Sequence, residues 1–253
     1  MVVTGDNLHR IQWLITQLST QFSIKDLGFL HHFLGIEVHK YGSNLFLSQH
    51  RYIVDLLTRA SMHESKPLST PMPTKAQQKS GSQELFTDVK TYRSLVGGLQ
   101  YLTFTRPDIS YSVNYVCQFM QAPTTAHFQM VKRILRYLQG TTTLGIRILS
   151  NSSLDLYGFS DADWAGCSTT RRSTTGFCTF LGGNCISWSA KKKPIVSRSS
   201  AEAEYRAMAS TAAELTWLSL LLKDLGVPLT KVPSLHCDNL SALYMTINHV
   251  LHA

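Results

Sequence analysis

Asp161, Glu204 and Asp238 are the residues of this chain best suited to chemistry. Asp161 ends an apolar run in Leu-Tyr-Gly-Phe-Ser-Asp, and Asp238 ends another in Leu-His-Cys-Asp. Glu204 stands in the first turns of a long amphipathic stretch that opens at Ser199. Carboxylates gathered from two strand ends and a helix start make a hard, oxygen-rich pocket. Such a pocket suits Mg²⁺ or Mn²⁺, held by few protein ligands with the remaining positions left to water and phosphate. Two such ions about 4 Å apart can activate a water and stabilise a leaving oxygen in phosphodiester cleavage.

The elements that must position these acids follow from period and punctuation. Residues 154–161, 174–181 and 184–189 read as short strands between Gly-rich or basic turns. Lys191-Lys192-Lys193-Pro194 reads as the next turn, and Ile195-Val196-Ser197 as a possible strand extension. A helix is expected over 200–225. Ser199 followed by Glu202 is a capping box, which gives Glu202 a structural task. Glu204 lies about 200° further round the axis, on the more apolar row with Met208, Thr211 and Leu215. It is therefore the glutamate expected to face the sheet. Asp161 and Asp163 share one face of their strand by alternation, with Asp163 nearer the turn marked by Ala165-Gly166. Asp238 is followed by Asn239, and taken without the other acids that pair reads more readily as a helix cap than as a ligand.

The front of the chain has a different texture. A helix is expected over 8–21, and a hairpin from Phe33–Val38 and Leu45–Leu47 around Tyr41-Gly42-Ser43-Asn44. A second helix is expected over 50–61. Residues 64–84 hold Pro67, Pro71, Pro73 and Gly81 among Ser, Thr, Gln and Lys, the composition of a linker. Residues 86–140 read as helical, with one helix opening at Pro107 and running to about Met120. Another is capped by Thr124 or Thr125 and ends at Gly140. Lys132, Arg133 and Arg136 lie mostly off its apolar stripe. They are either contacts for a phosphate backbone or an ordinary solvated helix face.

An apolar share of 43% allows a folded core, and no apolar run approaches the ~20 residues of a membrane helix. The start lacks the basic-then-apolar pattern of a secretory signal, so an intracellular protein, cytoplasmic or nuclear, is expected. Five scattered cysteines, without C-x-x-C pairs or histidines at zinc spacing, fit reduced thiols better than disulfides or a zinc site. Almost all of the net charge of +8 falls in residues 1–150. That suits a nucleic-acid backbone, and equally simple solubility. His236, His249 and His252 read as surface or satisfied histidines rather than proton carriers. Ser199-Ser200 has no local base to make a nucleophile.

The wording around the acids resembles the ribonuclease H domain of copia-type LTR retrotransposon Pol polyproteins. The motifs are Ser160-Asp161-Ala162-Asp163-Trp164-Ala165-Gly166, Ser173 to Phe177 with Leu181-Gly182-Gly183 and Ile186 to Ser189, Ser199 to Tyr205, and Cys237 to Ala242. Leu34 to Val38, Ser48 to Ile53, Tyr92 to Gly97 and Thr105 to Ile109 resemble the last part of the same element's reverse transcriptase. The resemblance implies an α+β or α/β chain in four stretches. Residues 1–63 would end a polymerase palm, with its primer-grip hairpin, and begin the thumb; 64–85 would be a linker. Residues 86–150 would be a helical thumb or connection, and 153–253 an incomplete ribonuclease H-like mixed sheet with helices. It selects Asp161 over Asp163, and makes Asp161, Glu204 and Asp238 the catalytic, metal-binding acids for two Mg²⁺ or Mn²⁺ ions, with no organic cofactor.

The implied activity is degradation of the RNA strand of an RNA–DNA hybrid. Lys191, Lys192, Lys193, Arg171 and Arg172 would hold phosphates, although solvated turns account for them equally. The family's Tyr-x-Asp-Asp polymerase motif and its fourth ribonuclease acid are absent from the sequence. Both ends therefore look cut, no polymerase activity is expected, and little nuclease activity is expected of the chain alone. The other reading is an inactive remnant with at most non-specific nucleic-acid binding.

Overall fold

The computed structural model describes residues 2–73, 84–167 and 169–248. Those residues form a mixed α/β structure. The first part contains α1 (Leu8–Gln21), β1 (His32–Phe33), β2 (Ile36–Tyr41), β3 (Asn44–Ser48), α2 (His50–Arg59) and α3 (Val89–Leu102). A 3₁₀ turn at Pro107–Ile109 leads into α4 (Ser110–Cys117), then α5 (Thr125–Gln139) and β4 (Ile146–Ile148). The last part is β5 (Leu156–Asp163), β6 (Thr174–Leu181), β7 (Asn184–Lys192), α6 (Ser200–Asp224), β8 (Ser234–His236) and α7 (Leu240–Ile247).

Several helices begin where the sequence supplies a side-chain acceptor for an early N–H. Asp88 accepts from Thr91 N at 2.9 Å to start α3, and Asn239 accepts from Ala242 N at 2.9 Å to start α7. Thr124 caps α5 by accepting from His127 N, while Thr124 N–H donates back to His127 Nδ1 at 3.0 Å. The expected helix after Pro107 opens as 3₁₀, and its α-helical part ends at Cys117 rather than near Met120. Its final turns tighten to three-residue bonds, Gln118 N to Tyr115 O and Phe119 N to Val116 O.

The first sheet has the order β1-β2-β3-β4, every neighbour antiparallel. Leu45 to Leu47 of β3 pair with Ile146 to Ile148 of β4, roughly a hundred residues later. Beside this sheet, α2 to α5 bury one core. Ile53, Leu56 and Leu57 from α2 pack with Tyr92, Val96 and Leu99 from α3 and with Ile134, Leu135 and Leu138 from α5. Residues on both sides of the Pro-rich stretch thus share a single interior. Of that stretch, 74–83 lies outside the described residues.

The second sheet has the order β7-β6-β5-β8, antiparallel except for the β5–β8 pair. That parallel neighbour requires a crossover, which α6 provides. The buried row of α6 includes Glu204, Met208, Thr211, Leu215 and Leu218, as its periodicity predicts. Gly158 lets helix and sheet approach closely, since a Cβ there would stand 3.1 Å from Thr211 Cγ2 and 3.3 Å from Thr179 Cγ2.

One expected turn is corrected. Lys191 and Lys192 continue β7, paired with Thr175 and Thr174, and Lys193 N bonds Ser173 O. Strand β6 is long enough to offer ladder partners that far. Pro194, which has no N–H, stops the strand, and Ile195 and Val196 stay outside it. No described helix is long and apolar enough to cross a membrane.

Candidate active site

Strands β5 and β8 run in the same direction, with Phe159 opposite His236. Asp161 lies two residues beyond Phe159 on β5, and Asp238 two residues beyond His236, just past the end of β8. Both carboxylates therefore emerge at one end of the sheet, and both are exposed. The early turns of α6 come down over the same end.

Glu204 is buried, at 7% exposure, and its Oε1 accepts from Ala162 N at 3.2 Å. Its Oε2 is buried with no hydrogen-bond partner. Burial pushes the Glu204 carboxyl above its ordinary range. The Ala162 N–H opposes that shift, while the negative charges of Asp161 and Asp238 reinforce it. A carboxylate oxygen that is buried, unpartnered and faced by two like charges is a place for a cation. The donor set of carboxylate oxygens suits a hard divalent one.

Among the described residues, one oxygen each of Glu204 and Asp238 and the Sγ of Cys237 lie within 4.8 Å of one another. Asp161 is not part of that tightest set, but it adjoins Ala162 and its charge reaches Glu204. Cys237 escaped the sequence reading, which weighed cysteines only by their spacing to other cysteines and histidines. The signal that would have found it is its place next to Asp238 at a strand end.

Neighbouring residues have other work. Glu202 accepts from Arg198 N at 2.7 Å and from Arg206 Nε at 2.9 Å, while Ser199 accepts from Glu202 N at 3.1 Å to cap α6. Asp163 accepts from Tyr111 of α4 at 3.0 Å and folds over Gly166, where a Cβ would fall 2.1 Å from its Oδ2. The cap of α7 is Asn239, which leaves Asp238 outside that role. His236 stacks on Phe159 with ring centroids 5.1 Å apart. His249 and His252 lie outside the described residues.

The candidate phosphate contacts are dispersed. Lys191, Arg171 and Arg172 are exposed, with Arg171 at φ 55 in the turn before β6. Lys192 Nζ donates to Cys167 Sγ at 2.9 Å and Lys193 Nζ to Ser210 Oγ at 2.7 Å. On α5, Lys132 lies over the Phe128 ring, 5.0 Å from its centroid. Arg133 donates to Thr70 Oγ1 at 2.8 Å and Arg136 to Lys66 O at 2.7 Å, which fastens residues 66–70 to the helix.

Comparison with known proteins adds ancestry to this geometry. The family described as reverse transcriptase (RNA-dependent DNA polymerase) matches residues 1–74. An uncharacterized mitochondrial protein of Arabidopsis thaliana is 56% identical over 219 residues, covering 87% of this chain and 91% of that protein. The retrovirus-related Pol polyprotein from transposon RE1 of Arabidopsis thaliana is 47% identical across 100% of this chain, which spans 17% of the polyprotein. The corresponding polyprotein from transposon TNT 1-94 of Nicotiana tabacum is 36% identical, again over 100% of this chain and 20% of its own length. No solved structure matches the chain.

Proposed function

The chain belongs to the copia-type retrotransposon Pol polyproteins, and from that membership we propose that residues 153–253 form a ribonuclease H-like unit. The chemistry proposed for its acidic centre is that of the intact family, hydrolysis of the RNA strand of an RNA–DNA hybrid. In the same proposal residues 1–63 end a reverse-transcriptase palm, with β2 and β3 as its primer-grip hairpin. Residues 86–150 form the helical thumb or connection, joined to the palm through the 64–85 linker.

The observation that carries the reading is the buried, unpartnered Oε2 of Glu204, set against Asp161 and Asp238. Asp161, Glu204 and Asp238 would hold Mg²⁺ or Mn²⁺. Bound there, a pair of such ions supplies an activated water and stabilisation of the leaving 3′ oxygen. The protein's own part is orientation. The Ala162 N–H holds Oε1 of Glu204, and Oε2 is left without a hydrogen-bond partner. The parallel β5–β8 pairing brings the two aspartates to one end of the sheet. Exposed Lys191, Arg171 and Arg172 are available for hybrid phosphates, and a contact to the 2′-OH would distinguish RNA from DNA.

The test is cleavage of a labelled RNA–DNA hybrid with Mg²⁺ or Mn²⁺ by the full chain and by Asp161→Asn. Cleavage that falls at least about a hundredfold in the variant supports the reading. Absence of cleavage by folded wild-type protein sinks it, leaving non-specific nucleic-acid binding as the function to measure.

A further inference from the structure

We propose that this carboxylate centre is also a thiophilic-metal site. In this inference Cys237 joins Glu204 and Asp238 to bind Zn²⁺ or Cd²⁺ through one sulfur and two oxygens, in competition with the hard ions of the proposed hydrolysis. It rests on that reading only for the competition; the binding itself stands on the three side chains.

A centre serving Mg²⁺ alone has no use for a thiol, because Mg²⁺ takes oxygen ligands. Zn²⁺ takes thiolate sulfur at ~2.3 Å and carboxylate oxygen at ~2.0–2.2 Å, so tetrahedral ligands stand roughly 3.5 Å apart. The ligand atoms of Glu204, Cys237 and Asp238 lie within 4.8 Å of one another. Closing that gap takes a shift of about 1 Å, within reach of side-chain rotation at exposed Asp238. Two further observations favour occupancy. The Oε2 of Glu204 is buried without a partner, and the Cys237 Sγ is held in place by the Asn239 N–H at 3.4 Å. A metal binds the sulfur as thiolate, and any thiol proton it displaces leaves to solvent. Affinity of such mixed O/S sites rises steeply from hard ions to Zn²⁺. All five cysteines are free thiols, and the other four lie outside this cluster.

The experiment titrates the reduced full chain with Cd²⁺ alone, without nucleic acid. It follows the ultraviolet thiolate-to-cadmium charge-transfer band and, in parallel, the calorimetric heat. The expected result is a saturable band that is lost in Cys237→Ser and kept in Cys167→Ser. Affinity should be at least about tenfold weaker in Glu204→Gln or, should that variant not fold, in Asp238→Asn. Mg²⁺ should shift the titration to higher Cd²⁺ concentration. A band that survives Cys237→Ser overturns the proposal, as does affinity indifferent to both carboxylate variants. The two readings fail separately. A normal band without hybrid cleavage removes the hydrolysis and leaves this site; Mg²⁺-dependent cleavage without the band removes this site and leaves the hydrolysis.

Discussion

Lys192 Nζ donates a hydrogen bond to Cys167 Sγ at 2.9 Å, tying the last residue of β7 to the loop between β5 and β6. Burial alone would raise the thiol, but the lysine bond and further bonds from Thr170 and Thr169 bring it down to about 7. Partial burial pushes the half-buried Cys117 and Cys185 thiols up to about 11. Alkylation at pH 7.5, read by peptide mass spectrometry, should therefore modify Cys167 well before Cys117 or Cys185. Lys192→Met should slow labelling of Cys167 about tenfold at that pH and move its half-maximal rate upward. Equal labelling of the three thiols would contradict the geometry.

Arg106 is buried, at 1% exposure, and pairs with both oxygens of Asp108 at 2.9 and 2.7 Å while donating to Thr141 O and Oγ1 at 2.8 Å each. Tyr137 completes the group by donating to Asp108 Oδ2 at 2.8 Å. Burial would raise the Asp108 carboxyl, yet the arginine bonds and charge hold it below the ordinary carboxylate range. The pair's stabilisation is thus complete above the ordinary carboxylate range and is lost as pH falls through the lowered value. Urea unfolding at pH 7 should show Arg106→Met destabilised by about 1–3 kcal/mol, because the Thr141 carbonyl loses a buried donor while water still reaches the Asp108 carboxylate. A loss below about 1 kcal/mol would mean that water replaces the guanidinium.

Glu204 works against the metal-free fold. Its carboxyl is raised by burial and by Asp161 and Asp238, so ionising it above the ordinary carboxylate range costs stability. Glu204→Gln should therefore melt about 2–4 °C higher than wild type at pH 7 without divalent ions, a gain on the order of 1 kcal/mol. That advantage should vanish at pH 3, where both forms are neutral. Mg²⁺ should raise the wild-type Tm and leave that of the variant unchanged. A variant less stable than wild type at pH 7 would refute this account.

The cations should separate into two classes. Lys191→Ala and Arg172→Ala remove exposed charges, so each should weaken hybrid binding and lower the salt slope by about one. Arg136→Ala removes the donor to Lys66 O, so it should cost about 1 kcal/mol of stability with little change in that slope. Binding titrations at several salt concentrations, beside thermal melts, separate these outcomes.

Local rules carried much of this. Ser199 announces α6, and the row Glu204, Met208, Thr211 and Leu215 follows from helical period alone. Lys191 and Lys192 misled because three lysines before a proline resemble a turn, whereas their place was decided by the length of the neighbouring strand β6. Arg133 and Arg136 look like surface charges because the chain they fasten lies more than sixty residues earlier. Cys237 was passed over because its partners are carboxylates, one of them on a different element. Pairings between distant segments leave no periodic trace, and β4 against β3 is the plainest example.

That strand pairing bears on how the protein can be divided. The reverse-transcriptase match stops at residue 74, yet α2 contributes Ile53, Leu56 and Leu57 to an interior completed by α3, α4 and α5. Strand β3 likewise finds its outer partner at Ile146–Ile148. An expression boundary placed where the family match ends would cut through a hydrophobic interior and bare one edge of a sheet, inviting aggregation. Residue 74, where the family match ends, is therefore no boundary of the fold, and a safe cut must keep that shared interior and the β3–β4 pairing together.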